Sequence, residues 1–196
     1  MPSLWADDLD AHRKLVLGRL LDAYEELRAV HGPDGVTLAA VAARAGLARS
    51  AVYNYVANKH DLILTHAARG LAAGHQRLAD AVGRQPDPAQ ALAAYITETL
   101  RVHSETPAAG DELMGMLSPE EQRELVALLQ PTRDLLDRIL TSGVADGTFT
   151  TDPARAADLV WAVLAGYRVP VATGRLDAHT TATYTANALL RALRAQ

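Results

Sequence analysis

The sequence predicts an all-α protein, and three observations carry that expectation. Alanine, leucine and arginine, which lose little on entering a helix, dominate almost every segment. The alternation of β-branched and aromatic residues that marks a half-buried strand never lasts beyond a few positions. Breaker clusters at 31–35 (HGPDG), 85–88 (QPDP) and 142–148 (SGVADGT) then divide the chain into pieces of helical length.

Taken in order, a first helix is expected from about Leu9 to Val30, with HGPDG ending it and Thr37 offering a side-chain oxygen to cap the next. Three short helices are expected before residue 60. Asn58 is placed as the cap of a longer helix from Lys59 to about Arg84, where Leu64, Leu71 and Leu78 recur at heptad spacing and Ala68, His75 and Val82 fill the same stripe. Another helix spans about Pro88 to Glu105. After the looser stretch TPAAGDELMGML, Ser118 and Glu121 form an S-x-x-E capping box that opens a helix through Leu140, with Pro131 expected to kink it.

Two further helices, about Pro153 to Val171 and Thr180 to Leu193, carry Trp161, Leu164 and Tyr167 on the first and Leu189, Leu190 and Leu193 on the second. That is more apolar surface than one-sided packing of such a pair requires. It is either ordinary core or a symmetric interface with a second copy of the chain.

Composition narrows the function classes. The 196 residues are 49% hydrophobic, enough to bury a core without covalent staples. Cysteine is absent, which removes thiolate nucleophiles and disulfides and fits a reducing cytoplasm. The first residues, MPSLWADDLDAHRK, carry acids where a secretory signal is basic and then apolar, and no stretch approaches the ~18 apolar residues of a membrane span. A cytoplasmic protein without membrane partners is expected.

The net charge of −4 argues against a protein that coats nucleic acid indiscriminately. Its distribution is uneven, for within 37–60 the charged residues are Arg44, Arg49 and Lys59, with no acid. A basic stretch in an acidic protein points to an anionic partner, although short runs of this kind also serve as solvated faces.

That stretch belongs to the most informative segment, Gly35 to Ile63 (GVTLAAVAARAGLARSAVYNYVANKHDLI). Thr37 caps a helix whose inward face is Leu38, Val41 and Ala42. Ala45 is small enough for close helix approach, and Gly46 gives the backbone freedom to turn sharply. Leu47 and Val52 plug the space behind a second helix. Arg49, Ser50, Tyr53, Asn54 and Tyr55 are left to face outward, a set suited to phosphates and base edges in a major groove.

These residues resemble the DNA-binding domain of the TetR, or tetracycline-repressor-like, family. The resemblance is carried by Thr37, by Val41 with Ala42, by Ala45 with Gly46, and by Tyr53, Tyr55 and Lys59, in register without insertion over about residues 10 to 63. It implies an N-terminal three-helix helix-turn-helix domain over 1–60, followed over 61–196 by a larger helical domain for effector binding and dimerisation. It further implies that Thr37, Tyr55 and Lys59 hold backbone phosphates while the helix from Arg49 to Tyr55 enters the groove.

Arg49 and Asn54 suit guanine and adenine respectively, or else phosphate alone, and Arg44 is either solvated or part of the interface. Two positions depart from the family pattern. Ala48 replaces the usual capping Ser or Thr, with Ser50 beside it as a substitute, and Val56 replaces the common Phe.

The function so implied is a homodimeric transcriptional regulator, most often a repressor, that binds a palindromic operator on double-stranded DNA and leaves it when a small molecule binds. Candidates to line the effector site are His75, Tyr95, His103, Met114, Met116 and Trp161, each of which also fits a plain core role.

The main rival class is an enzyme, and none of its signatures is present: no G-x-S-x-G, no H-E-x-x-H and no phosphate-cradling glycine loop. The seven histidines lack metal-ligand spacing, so no catalytic residue, metal or cofactor is expected. A second rival is a helical interaction module that kept the shape of the motif and lost its DNA, for which Ala48 is the sole support. The operator, the effector and the choice between repression and activation are not written in the sequence.

Overall fold

The computed structural model describes residues 3–32, 34–105 and 117–194, with side chains from Leu9 onward. Among the described residues the regular structure is all helical: α1 (Ser3–His31), α2 (Leu38–Arg44), a single 3-10 turn η1 (Ala51–Asn54), α3 (Lys59–Gly83), α4 (Pro88–Glu105), α5 (Pro119–Ala127), α6 (Gln130–Ala145), α7 (Pro153–Ala172) and α8 (Ala178–Arg194). They form two compact units, Met1–Arg69 and Gly70–Gln196.

Most helices start on a side-chain oxygen that accepts an otherwise unpaired backbone N–H of the first turn. Thr37 Oγ1 takes Ala40 N at 3.2 Å, Asn58 Oδ1 takes Asp61 N at 2.9 Å, and Asp87, Asp152 and Asp177 do the same for α4, α7 and α8. At Ser118 the capping box is complete, with Glu121 N donating to Ser118 Oγ and Ser118 N to Glu121 Oε2.

The first unit packs α1 on α2 over a small apolar set that includes Val16, Leu20, Tyr24, Val41, Ala42, Val52, Val56 and Leu62. In the second unit α4 is the hub, packing against α6, α7 and α8 with Leu92, Tyr95, Ile96 and Leu100 completely buried. Gly143 of α6 lets Phe149 approach so closely that a Cβ there would stand 2.2 Å from its ring.

Several elements differ from the sequence expectation. The region before residue 60 holds α2 and one 3-10 turn, not three helices. Pro131 does not kink a continuous helix; it sits in the first turn of α6, where a missing N–H costs nothing, and the chain breaks at 128–129. The buried face of α3 starts on Leu62 and Ile63 and continues through Gly74, Leu78 and Val82, leaving Leu64, Ala68, Leu71 and His75 half-buried. α1 is longer at its start than the composition indicated. No helix of the described residues is long and apolar enough to cross a membrane.

Candidate nucleic-acid interface and effector groups

Local geometry builds the turn at the centre of the first unit's candidate interface. α2 ends at Ala45, and Gly46 takes φ +71°, a left-handed conformation that a side chain resists. Leu47 N then bonds back to Ala42 O at 2.8 Å, reversing the chain. The guanidinium of Arg19 on α1 donates to the Ala45 carbonyl at the helix end, pinning the turn to α1. Behind the turn, Val41, Ala42, Val52 and Val56 are buried, while Leu47 is half-buried.

On the opposite side Arg49, Ser50, Tyr53 and Asn54 are exposed, with Tyr53 at 55%. They sit on and around η1, a single 3-10 turn where the sequence led us to expect a helix from Arg49 to Tyr55. The physical reason lies in two features. Ser50 makes no side-chain cap bond, so it does not replace the oxygen missing at Ala48, and the following Val-Tyr-Asn-Tyr-Val is poor in helix formers.

Tyr55 is half-buried and carries the guanidinium of Arg13 over its ring, 5.8 Å from the centroid. Thr37 is exposed, with its oxygen engaged as the cap of α2. Lys59 rests its ammonium on the carbonyl of Asp34 at 3.1 Å. Arg44 makes an ion pair with Glu26 of α1, so it must leave that partner before it can meet a phosphate.

The start of α3 is tied to α1 by polar contacts absent from the sequence expectation. Arg69 pairs with Asp22 at 2.7 Å, and His66 pairs with Glu25 at 2.9 Å while meeting the edge of the Tyr24 ring. Burial pushes the Glu25 carboxyl up, but the Arg28 bond and charge and the adjacent His66 outweigh it and hold its pKa below the usual value. Burial lowers the His66 pKa, with Glu25 opposing.

In the second unit the sequence-chosen effector candidates separate. His75 Nδ1 lies 3.3 Å from Thr132 Oγ1, and the Tyr95 hydroxyl donates to the Thr132 carbonyl at 3.3 Å, so α3, α4 and α6 meet at one residue that sequence reasoning did not single out. Tyr95 is completely buried, and burial, then Asp137, hold its phenol well above the ordinary pKa, with Arg133 opposing.

His103 stands apart. Burial and the Arg168 charge lower its pKa to about 4, and its buried Nδ1 has no hydrogen-bond partner among the described residues. Trp161 is half-buried beneath the Arg133 guanidinium, 4.5 Å from the ring centroid, in a cleft of about 230 Å³ between α6 and α7 that Asp137 and Asp158 also line. Met114 and Met116 lie outside the described residues.

Of the residues singled out on the last two helices, Leu164, Leu189 and Leu193 belong to the core of the unit itself. Tyr167 and Leu190 pack against that core partly buried. The large apolar residues that these two helices do expose are Leu159, Val169 and Tyr184, the last at 71%.

Residues 20–65 match the family model described as bacterial regulatory proteins, tetR family. No curated protein matches the chain. Solved structures share its fold. A transcriptional regulator of the TetR/AcrR family from Thermobifida fusca is 23% identical with a TM-score of 0.74, over 89% of this chain and 96% of that one. The regulator FadR from Bacillus subtilis, solved in complex with stearoyl-CoA, is 18% identical with a TM-score of 0.71, over 88% and 96%. The ketosteroid transcriptional regulator KstR2 of Mycobacterium tuberculosis is 18% identical with a TM-score of 0.64, over 92% and 95%. At these identities the similarity shows the shared all-helical fold.

Proposed function

We propose that this protein, whose N-terminal domain belongs to the tetR family of bacterial regulatory proteins, is a homodimeric, sequence-specific transcriptional repressor that leaves its operator when a small molecule binds. The observation that carries this reading is the two-sided segment 37–59. Its apolar residues are locked behind the Gly46 turn, while Arg49, Ser50, Tyr53 and Asn54 stand exposed in a stretch without a carboxylate.

Within this reading Thr37, Tyr55 and Lys59 hold backbone phosphates, and Arg49 and Asn54 read base edges with Ser50 and Tyr53 beside them. Arg44 joins them only when Glu26 releases it. Because η1 is one turn long, entry into the groove orders it further, so part of the binding free energy goes into completing the helix.

The second unit is the proposed effector half. His75 and Tyr95, converging on Thr132, together with His103 and Trp161, are the polar and aromatic groups available to orient a largely apolar molecule. The solved FadR complex with stearoyl-CoA supports an effector site in this fold. α3 runs through the boundary between the units, and a ligand that binds more tightly to one conformation of the chain than to another would shift the DNA-binding equilibrium. For dimerisation, the exposed Leu159, Val169 and Tyr184 of α7 and α8 are the surface that a second copy would cover.

Selection of bound sequences from a random duplex library tests the reading. A palindromic winner whose affinity falls steeply with salt is expected, with Lys59→Ala weakening all sequences and Arg49→Ala relaxing particular positions. Failure to enrich any sequence at low salt would overturn the reading and leave a protein-interaction module.

A further inference from the structure

The basic residues of the first unit differ in what holds them. Arg28 bonds Glu25, Arg44 pairs with Glu26, and Arg69 pairs with Asp22. Arg19 is engaged by the Ala45 carbonyl and Lys59 by that of Asp34. Among the described residues Arg13 has no such partner: it is exposed on α1, and the ring of Tyr55 lies beside it, 5.8 Å from its guanidinium. Among the described residues no carboxylate pairs with it.

A guanidinium steadied by an aromatic face keeps its charge and its N–H fork for an outside anion, whereas one bonded to an acid does not. Tyr55 is a firm support. Its N–H bonds Val52 O at 3.0 Å, and buried Val52 and Val56 flank it in sequence. The same residue closes η1, whose Tyr53 and Asn54 are exposed, so Arg13 is placed beside the outward-facing set although it lies some forty residues earlier in the chain.

We propose that Arg13 is a phosphate-binding residue of the DNA interface, positioned by its cation–π contact with Tyr55, so that α1 grips the nucleic acid together with the motif. The inference rests on the DNA-binding reading above and extends its footprint. The planar fork suits two oxygens of one backbone phosphate, a contact that carries no sequence information. Tyr55 then has a second role, since its ring supports Arg13 whatever its hydroxyl does. Tyr55→Phe keeps that support and Tyr55→Ala removes it.

The test is a salt titration of the full chain on its selected duplex and on a scrambled duplex of equal length, comparing wild type, Arg13→Ala and Arg138→Ala. The last removes one exposed positive charge from the second unit. For each protomer bound, Arg13→Ala should reduce the slope of log affinity against log salt by about 0.9 and weaken binding about eightfold at ~0.1 M salt, equally on both duplexes. Arg138→Ala should leave the slope unchanged, and Arg13→Ala should cost little once Tyr55→Ala is present.

Wild-type binding with an unaltered slope for Arg13→Ala would overturn the role of Arg13 and leave the DNA-binding reading intact. An equal change in Arg138→Ala would also overturn it, by reducing the effect to net charge. Absence of wild-type binding to any duplex would overturn both.

Discussion

Apart from the buried Tyr24, the first unit keeps its polar side chains near the surface and uses them to fasten helix ends, whereas the second buries several polar groups among apolar ones. In the first, Arg19 closes the end of α2, Thr37 opens its start, and His66 and Arg69 tie α3 to α1. In the second, Tyr95 lies completely inside, and the buried Thr185 hydroxyl and His103 Nδ1 have no hydrogen-bond partner among the described residues. Satisfied end contacts make a stiff frame that presents a fixed set of outward groups. Unsatisfied buried groups are costly as they stand and gain most from a change of partner or conformation. The difference accords with the proposed division between DNA contact in one unit and effector response in the other.

The largest expected effect is on the frame. Gly46→Ala forces a side chain into the left-handed region, and its Cβ would stand 3.0 Å from the Arg19 guanidinium. It should destabilise the first unit by about 1–2 kcal/mol, seen as faster hydrogen exchange across α2 and η1.

Two threonines give the sharpest contrast, because the same residue type should respond with opposite signs. Thr37→Ala removes a cap and should cost about 1 kcal/mol in urea unfolding. Thr185→Val removes a buried hydroxyl without a partner among the described residues and should stabilise the protein by about 1 kcal/mol. Equal signs would break the distinction between the units.

His103 adds a pH dependence. Its pKa in the folded chain is lowered from 6.5 to about 4 by burial and Arg168, so between these values the unfolded chain binds the proton more readily. Its contribution is therefore present above about pH 6.5 and lost as pH falls toward about 4. His66, also lowered, adds a drop of the same sign, and Glu25, lowered as well, gives a loss at more acidic pH. His103→Gln should diminish the fall in urea midpoint between pH 7 and about pH 5 without removing it.

The smallest effect is at Arg44. Glu26→Gln breaks an exposed ion pair and should change stability by less than about 1 kcal/mol, while freeing Arg44 for DNA and raising affinity modestly.

The sequence was most legible where local chemistry decides the structure. The Gly46 turn follows from a residue without a Cβ, and the Thr37 and Asn58 caps and the box at Ser118 from side chains acting on their own backbone within four residues. Asp87-Pro88 and Asp152-Pro153 carry the same signal, an acceptor followed by proline at the first helical position, and the sequence reading passed over their caps.

What depends on distant partners was not legible. The cation–π contact of Arg13 with Tyr55, the neutralisation of Arg44 by Glu26 and the meeting of His75 and Tyr95 at Thr132 join residues far apart in the chain. Leu164, Leu189 and Leu193 show the same limit. Their apolar character is plain in the sequence, but α4 decides that they face inward. The helix expected at Arg49–Tyr55 is reduced to a 3-10 turn for a local reason, the absent cap at Ala48, which is visible in the sequence.

If the segment 37–59 grips DNA, its amides are shielded when duplex is bound. Hydrogen exchange of the full chain with and without its selected duplex tests it directly. Strong protection is expected across α2, η1 and the first turn of α3, with η1 gaining most if its helix is completed on binding. Protection confined to the second unit, or none in 37–59 at saturating duplex, would contradict it.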